Sequence, residues 1–252
     1  MLRLQNITKT YQEKAVVDSV SLEVNAGEIV VIVGESGSGK TTLLNIISGN
    51  TRPDSGTLQL DNQDIDLYFN RLIKDFPTIK LVPQDYRLKP DYTVSENIDL
   101  ALTKFKNEYR TKRVQELVEL CGISEIKDKK PREISGGEKQ RTAIARAIAD
   151  EPLVLLLDEP FSNLDSINRT QLRSKVIEII NQEGIGCILV THDLLDAFLV
   201  ADRIGIMQKG KLLLVDSPQN IFQQTKNQYV KKFVDSAMQP IEVFLKSYAE
   251  LF

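Results

Sequence analysis

Chemistry in this chain concentrates first in Gly34-Glu35-Ser36-Gly37-Ser38-Gly39-Lys40-Thr41, between an uninterrupted apolar run, Ile29–Val33, and a helix-like run, Thr42–Ser48. The spacing G-x-x-x-x-G-K-[ST], after a strand and before a helix, is that of a phosphate-binding loop. Glycines at 34, 37 and 39 let the backbone curl until successive N–H groups point inward at phosphate oxygens, and the following helix adds the positive end of its dipole. In such a loop Lys40 reaches the β and γ phosphates of a nucleoside triphosphate, and the Thr41 hydroxyl holds Mg²⁺. A second apolar run, Leu153–Leu157, ends in Asp158 and Glu159. Beside a phosphate loop these carboxylates take separate tasks: Asp158 joins the Mg²⁺ shell, and Glu159 orients and deprotonates an attacking water.

A third segment, Ile134-Ser135-Gly136-Gly137-Glu138-Lys139-Gln140-Arg141, runs into a helical stretch, Thr142–Ala149. Ser135 has the place of an N-cap. Free N–H groups and a serine hydroxyl at a helix start make a second anion site. An ordinary capped helix would account for Ser135 but not for the glycine pair behind it, because glycine weakens a helix.

These residues need a scaffold, and the apolar periodicity supplies one. Leu2 and Leu4, then Val20, Leu22 and Val24, alternate with polar neighbours and predict half-exposed antiparallel strands. Ile29–Val33, Ile79–Val82, Leu153–Leu157 and Cys187–Val190 predict buried parallel strands, and helical patterns follow three of them. The layout is α/β with a parallel sheet. Between Gln84 and Asp150 helical signals dominate: Thr93-Val94-Ser95-Glu96 has capping-box spacing, and Val114, Leu117, Val118 and Cys121 fall at i, i+3, i+4, i+7. A helical subdomain inserted over 85–150 is expected. Arg203–Met207 and Lys211–Val215 predict a hairpin across Gln208-Lys209-Gly210, and Ser217-Pro218 opens a short helix.

Composition narrows the function. A chain of 252 residues, 42% of them hydrophobic, buries roughly three quarters of its extended surface. Its 32 basic and 35 acidic side chains leave a net charge of −3, so the cationic excess that nucleic acid demands is missing, and no nucleic-acid partner is expected. The longest apolar runs, such as Ile29–Val33, have five residues, far short of the roughly 18–20 that cross a bilayer. Residues 1–10 lack the apolar core of a secretory signal, and Cys121 and Cys187 read as reduced cytosolic thiols.

Taken in chain order, these motifs resemble those of the nucleotide-binding subunit of ATP-binding cassette (ABC) proteins, over nearly all of residues 1–235. By this resemblance 34–41 is Walker A, Leu81-Val82-Pro83-Gln84-Asp85 the Q-loop, Ile134–Glu138 the signature and Val154–Glu159 Walker B. Ser162-Asn163-Leu164-Asp165 is similar to the D-loop, Thr191-His192-Asp193 carries the switch histidine, and Tyr11 is the A-loop aromatic. The implied fold is a P-loop NTPase, a RecA-like core with an N-terminal antiparallel β subdomain and the inserted helical one. The ABC ATPase domain would cover 1–239, with a C-terminal helical extension at 240–252. The resemblance implies that Tyr11 stacks on adenine, that Gly34 to Thr42 cradle the phosphates, and that Gln84 touches Mg²⁺ or the water and reports nucleotide state. It also implies that His192 contacts the γ-phosphate. Ser135, Gly136, Gly137 and Glu138 would complete the site from the other subunit, and Asp165 of the D-loop would also bind the nucleotide. The family signature usually begins with Leu and ends with Gln; Ile134 and Glu138 depart from it and leave open whether Glu138 tunes closure.

By the same resemblance the chain is expected to be a Mg²⁺-dependent ATPase, paired with itself or a similar cassette, that powers solute transport through a separate transmembrane permease. It would sit on the cytoplasmic face of the cell membrane. Import is favoured, because Lys129-Lys130-Pro131-Arg132-Glu133 resembles importer cassettes and Ser217–Phe222 with Tyr229–Phe233 is similar to the tail of polyamine and ferric-iron importers. A solute-binding protein would then act through the permease. The alternative is a non-transport ABC ATPase in cytosolic assembly, of iron-sulfur scaffold type, or in cell-envelope regulation. Importer relatives often carry a further regulatory domain, for which no room is expected before Phe252. Past 239, Ile241, Phe244, Leu245 and Tyr248, continued by Leu251 and Phe252, fall at helical spacing and suit either packing on the same subunit or a dimer or partner contact.

Overall fold

A strand that is apolar at every position must be covered on both faces, and the chain meets that demand by sandwiching one sheet between two unlike layers. The computed structural model describes residues 1–65, 78–162, 164–224 and 227–249. Strands β1 (Leu2–Tyr11) and β2 (Lys14–Val24) form a hairpin whose turn residues, Gln12 and Glu13, are both left-handed at φ 46° and 65°. That turn geometry matches the natural twist of the strands. Strand β3 (Ile29–Val33) leads into α1 (Lys40–Ile47), then β4 (Ser55–Leu60), β5 (Gln63–Asp64) and β6 (Ile79–Val82). Helices α2 (Val94–Asp99), α3 (Asn107–Leu120) and α4 (Gly136–Ile148) separate β6 from β7 (Val154–Asp158). The remainder is α5 (Ser166–Glu183), β8 (Gly186–Thr191), α6 (Leu194–Val200), β9 (Arg203–Gln208), β10 (Lys211–Asp216), α7 (Pro218–Gln224) and α8 (Gln228–Ala249).

The antiparallel sheet has the order β2-β1-β4-β5, and the central sheet the order β10-β9-β3-β8-β7-β6, parallel except for the β9–β10 hairpin. Side chains alternate across the central sheet. Val30, Ile32, Leu156 and Ile188 join Leu4, Leu22 and Leu43 in one core, under the antiparallel sheet and α1. Val31, Val33, Leu155 and Leu189 join Ile98, Leu117 and Ile144 in the other, under the helices. The capping box at Thr93 and Glu96 starts α2, and Cys121 and Cys187 are buried, unpaired thiols. Arg113 of α3 ties the helical insert to the core: it donates to Glu183 at 2.6 and 3.2 Å and to the carbonyls of Ile148 and Ala149 at 3.3 and 3.4 Å.

Element ends depart from the apolar pattern for identifiable reasons. Strand β7 begins at Val154, because Leu153 is 45% exposed and its N–H is already spent on the Thr78 carbonyl. Helix α1 begins at Lys40 rather than Thr42, since left-handed Gly39 (φ 106°) turns the chain early and its carbonyl accepts from Leu43 N–H. Strands β4 and β5 were not apparent in the pattern; only Leu58 of Ser55–Leu60 is fully buried, and β5 is two exposed residues, Gln63 and Asp64, paired with Leu60 and Gln59. Helix α8 runs without a break across the expected boundary at 239, while Leu251 and Phe252, like Asn163, lie outside the described residues. Among the described residues no helix is long and apolar enough to cross a membrane.

Candidate functional site

Register in the central sheet brings the motifs together. Val33 pairs with Thr191 and Val190 with Asp158, so the chain leaves the sheet side by side at Gly34, His192 and Glu159. This is the carboxyl edge of the parallel strands, where open α/β sheets bind ligands.

The phosphate loop is set by close backbone approach. A β-carbon at Gly34 would stand 2.1 Å from the Met207 carbonyl oxygen, and one at Gly39 2.2 Å from that of Val16. Both positions therefore exclude any side chain. Lys40 is buried, its Nζ donating to the carbonyls of Gly34 (2.7 Å) and Glu35 (3.1 Å). Burial holds this ammonium below its ordinary value, against the pull of Glu159 and Asp158. Ser38 Oγ is buried without a partner among the described residues, whereas Glu35, Ser36, Gly37 and Thr41 are exposed and Thr42 is half-buried. Thr41 Oγ1 donates to Asp158 Oδ1 at 3.3 Å. Burial raises the Asp158 carboxyl above its usual range. A cavity of about 260 Å³ opens between Glu35–Ser38, the 14–16 end of β2 and the Gln208–Gly210 turn.

Glu159 follows β7 in a left-handed conformation, φ 49°, with its N–H donating to the Val190 carbonyl at 3.0 Å. A non-glycine residue held there is costly and is commonly found where a side chain must be aimed. Its carboxylate oxygens both lie 3.0 Å from His192 Nδ1, and a proton on that nitrogen is donated to them. The imidazole itself remains open, with 61% of its side chain exposed. Gln84 Nε2 donates to Ser162 Oγ at 3.3 Å, and that hydroxyl donates to the Glu159 carbonyl at 3.0 Å. Tyr11, at the end of β1, is 48% exposed, with the Lys9 ammonium 5.5 Å from its ring centre.

Ser135, Gly136, Gly137, Glu138 and Asp165 form a separate group. Ser135 caps α4 in a reciprocal box: Glu138 N–H donates to Ser135 Oγ, and the Glu138 carboxylate accepts from Ser135 N–H (2.7 Å) and hydroxyl (2.8 Å). Those donors hold Glu138 below its ordinary value. Asp165 caps α5 by accepting from the N–H groups of Ile167 and Asn168 and from the Asn168 amide, and its carboxyl is lowered in consequence. A β-carbon on Gly137 would meet Asn168 at 3.4 Å, so the two helix starts adjoin. Among the described residues no hydrogen bond or ion pair joins this group to the phosphate loop.

Three groups were not apparent from motif spacing. Ser162 links Gln84 to Glu159, although Gln84 and Ser162 are 78 positions apart. Arg146 of α4 donates to the carbonyls of Tyr86 and Arg87, both left-handed, and so binds the segment after Gln84 to the signature helix. The Gln208–Gly210 turn lies over the loop, with Gly210 N–H donating to the Ser38 carbonyl. Gln208-Lys209-Gly210 was legible as a hairpin turn and Ser162 as part of the D-loop resemblance, but not the contacts they make.

The model of the ABC transporter family matches residues 17–162. The chain is 37% identical over 240 residues to the spermidine/putrescine import ATP-binding protein PotA of Nitratidesulfovibrio vulgaris, covering 93% of this chain and 63% of that protein. It is 35% identical over 254 residues to the Fe(3+) ions import ATP-binding protein FbpC of Photorhabdus laumondii, covering 100% of this chain and 71% of that protein. Among solved structures, the dimeric post-hydrolysis state of the ATP-binding cassette MJ0796 bound to ADP and Pi aligns with a TM-score of 0.74 and 31% identity, over 86% of this chain and 99% of that one. With the sheet edge, the phosphate loop and these relatives in agreement, the chain belongs to the ABC transporter family.

Proposed function

We propose that the chain binds and hydrolyses ATP with Mg²⁺ as one cassette of a pair, and that the cycle powers import of a solute through a separate membrane subunit. The observation that carries this reading is the assembly at one sheet edge of Lys40, the Thr41–Asp158 pair and the Glu159–His192 pair. Ser38 Oγ, buried and unpartnered among the described residues, and the side-chain-free approaches at Gly34 and Gly39 fit a phosphate chain. The Thr41 hydroxyl and the Asp158 carboxylate are hard oxygen donors suited to Mg²⁺. Mg²⁺ is commonly held by one or two protein oxygens, with water and phosphate in the rest of its shell. When bound, Mg²⁺ neutralises charge developing on the phosphates.

The chain's own groups do the rest. Lys40 exchanges loop carbonyls for phosphate oxygens; Glu159 accepts a proton from the attacking water; His192, fixed through Nδ1–H, turns Nε2 toward the γ-phosphate and donates to it from Nε2–H when the ring carries both protons; Gln84, held through Ser162, orients the water or the ion. Tyr11 offers an open ring face to adenine. The Ser135–Glu138 helix start, apart from the loop on its own chain, serves the nucleotide of a second copy or a similar cassette, which closes the site against water. The helical insert and the Gln84 segment face the permease, on the cytoplasmic side of the membrane, and a solute-binding protein acts through that permease. The domain assignment is 1–239 for the cassette and 240–252 for an extension. PotA, FbpC and the dimeric cassette support this reading by likeness, and the chain spans 63% of the length of the PotA relative. Phosphate release by the purified chain, with MgATP and with excess EDTA, tests it. Metal-dependent turnover and an ATP-dependent dimer on sizing are expected; a folded protein that neither binds nor splits ATP overturns it.

A further inference from the structure

Glu35 is an anion on a loop built to receive anions, and its exposed side chain stands at the wall of the loop cavity. Its backbone carbonyl accepts from Lys40 Nζ and from Ser38 N–H, each at 3.1 Å. Its carboxylate accepts from the Tyr229 hydroxyl at 3.0 Å, a contact spanning 194 positions of sequence. Tyr229 stands in the first turn of α8 on a firm mount. Asn227 Oδ1 caps that turn by accepting from the N–H groups of Tyr229 (3.0 Å) and Val230 (3.2 Å), and Val230 is wholly buried. The Tyr229 ring stacks on Phe233 with centroids 6.0 Å apart and planes inclined by 17°. Burial and the neighbouring Glu35 push the phenol up to about 12, so it stays a proton donor at working pH.

An untethered carboxylate at this place would sweep positions close to the triphosphate and repel it, with little screening inside a Debye length of roughly 8–10 Å. A phenol O–H bonded to it fixes where that charge sits. We propose that Tyr229 is a positioning residue for nucleotide binding: through Glu35, helix α8 restrains the loop's own anion. The proposal rests on the nucleotide reading and extends it to a C-terminal helix that the loop motif does not include.

The test is a cycle of Tyr229→Phe, Glu35→Gln and the double variant, measured by equilibrium MgATP binding, by steady-state phosphate release and by melting temperature. Tyr229→Phe should raise Kd and KM about threefold to tenfold, the net worth of one ordinary hydrogen bond, while kcat changes less than about twofold. In the Glu35→Gln background, where no charge needs restraint, Tyr229→Phe should be silent within about twofold. Wild-type affinity in Tyr229→Phe overturns the proposal, as does an equal penalty with Glu35→Gln present, which would assign the effect to α8 packing. Failure of the wild-type chain to bind MgATP would instead overturn the nucleotide reading, and this proposal with it.

Discussion

Glu159→Gln separates geometry from proton transfer. Gln keeps the length of the side chain and one oxygen that accepts from His192 Nδ1–H, now 3.0 Å from both carboxylate oxygens. The left-handed backbone at φ 49° suits Gln no worse than Glu, and the bond from its N–H to Val190 is untouched. The structural penalty is therefore at most one hydrogen bond, about 1 kcal/mol, or roughly fivefold. Loss of a general base is larger, about 10²–10⁴ in rate, equivalent to roughly 3–5 kcal/mol. The variant should bind MgATP within about threefold of wild type and lose kcat by that larger factor. It should accumulate as an ATP-bound dimer on sizing. Phosphate release at saturating ATP, beside equilibrium binding, measures both quantities. A kcat within about tenfold of wild type would refute Glu159 as proton acceptor, because the lost hydrogen bond alone would then suffice.

Gly39→Ala forces a β-carbon to 2.2 Å from the Val16 carbonyl oxygen at φ 106°; it should destabilise by about 2–3 kcal/mol in urea unfolding and abolish MgATP binding. Arg113→Met leaves Glu183, whose side chain is 17% exposed, without its partner. A loss of about 3 kcal/mol is expected, with faster hydrogen exchange in α3 than in β3. The carboxylate of Glu138 is depressed chiefly by the Ser135 N–H, so its contribution to the α4 cap is whole above the ordinary glutamate value of 4.5 and is lost as pH falls through the lower value it has when folded. The melting-temperature deficit of Glu138→Ala should accordingly be full at neutral pH and vanish in that acid range. Glu138→Gln keeps an oxygen for Ser135 N–H and should alter the ATPase rate by less than about tenfold.

Local chemistry was legible wherever one short segment dictates its own backbone. Ile29–Val33 announces a strand covered on both faces, Gly34–Thr41 a loop that must curl, and Ser135 with Glu138 a helix start, because each depends on residues within a few positions. Which of these groups meet is a different matter. Gln84 on Ser162, Arg146 on the carbonyls of Tyr86 and Arg87, and Tyr229 on Glu35 join residues 59 to 194 positions apart, and no spacing encodes them. Periodicity determined the first hairpin and the central strands through apolar burial, and the glycine spacing determined the phosphate loop through freedom to turn; β4 and β5, with one fully buried residue between them, carried no such pattern. Packing of the helical insert against the central sheet, and of α8 against α6 and α7, decided which polar side chains face one another, since a hydrogen bond needs its partners within about 3 Å and only the assembled core places them there.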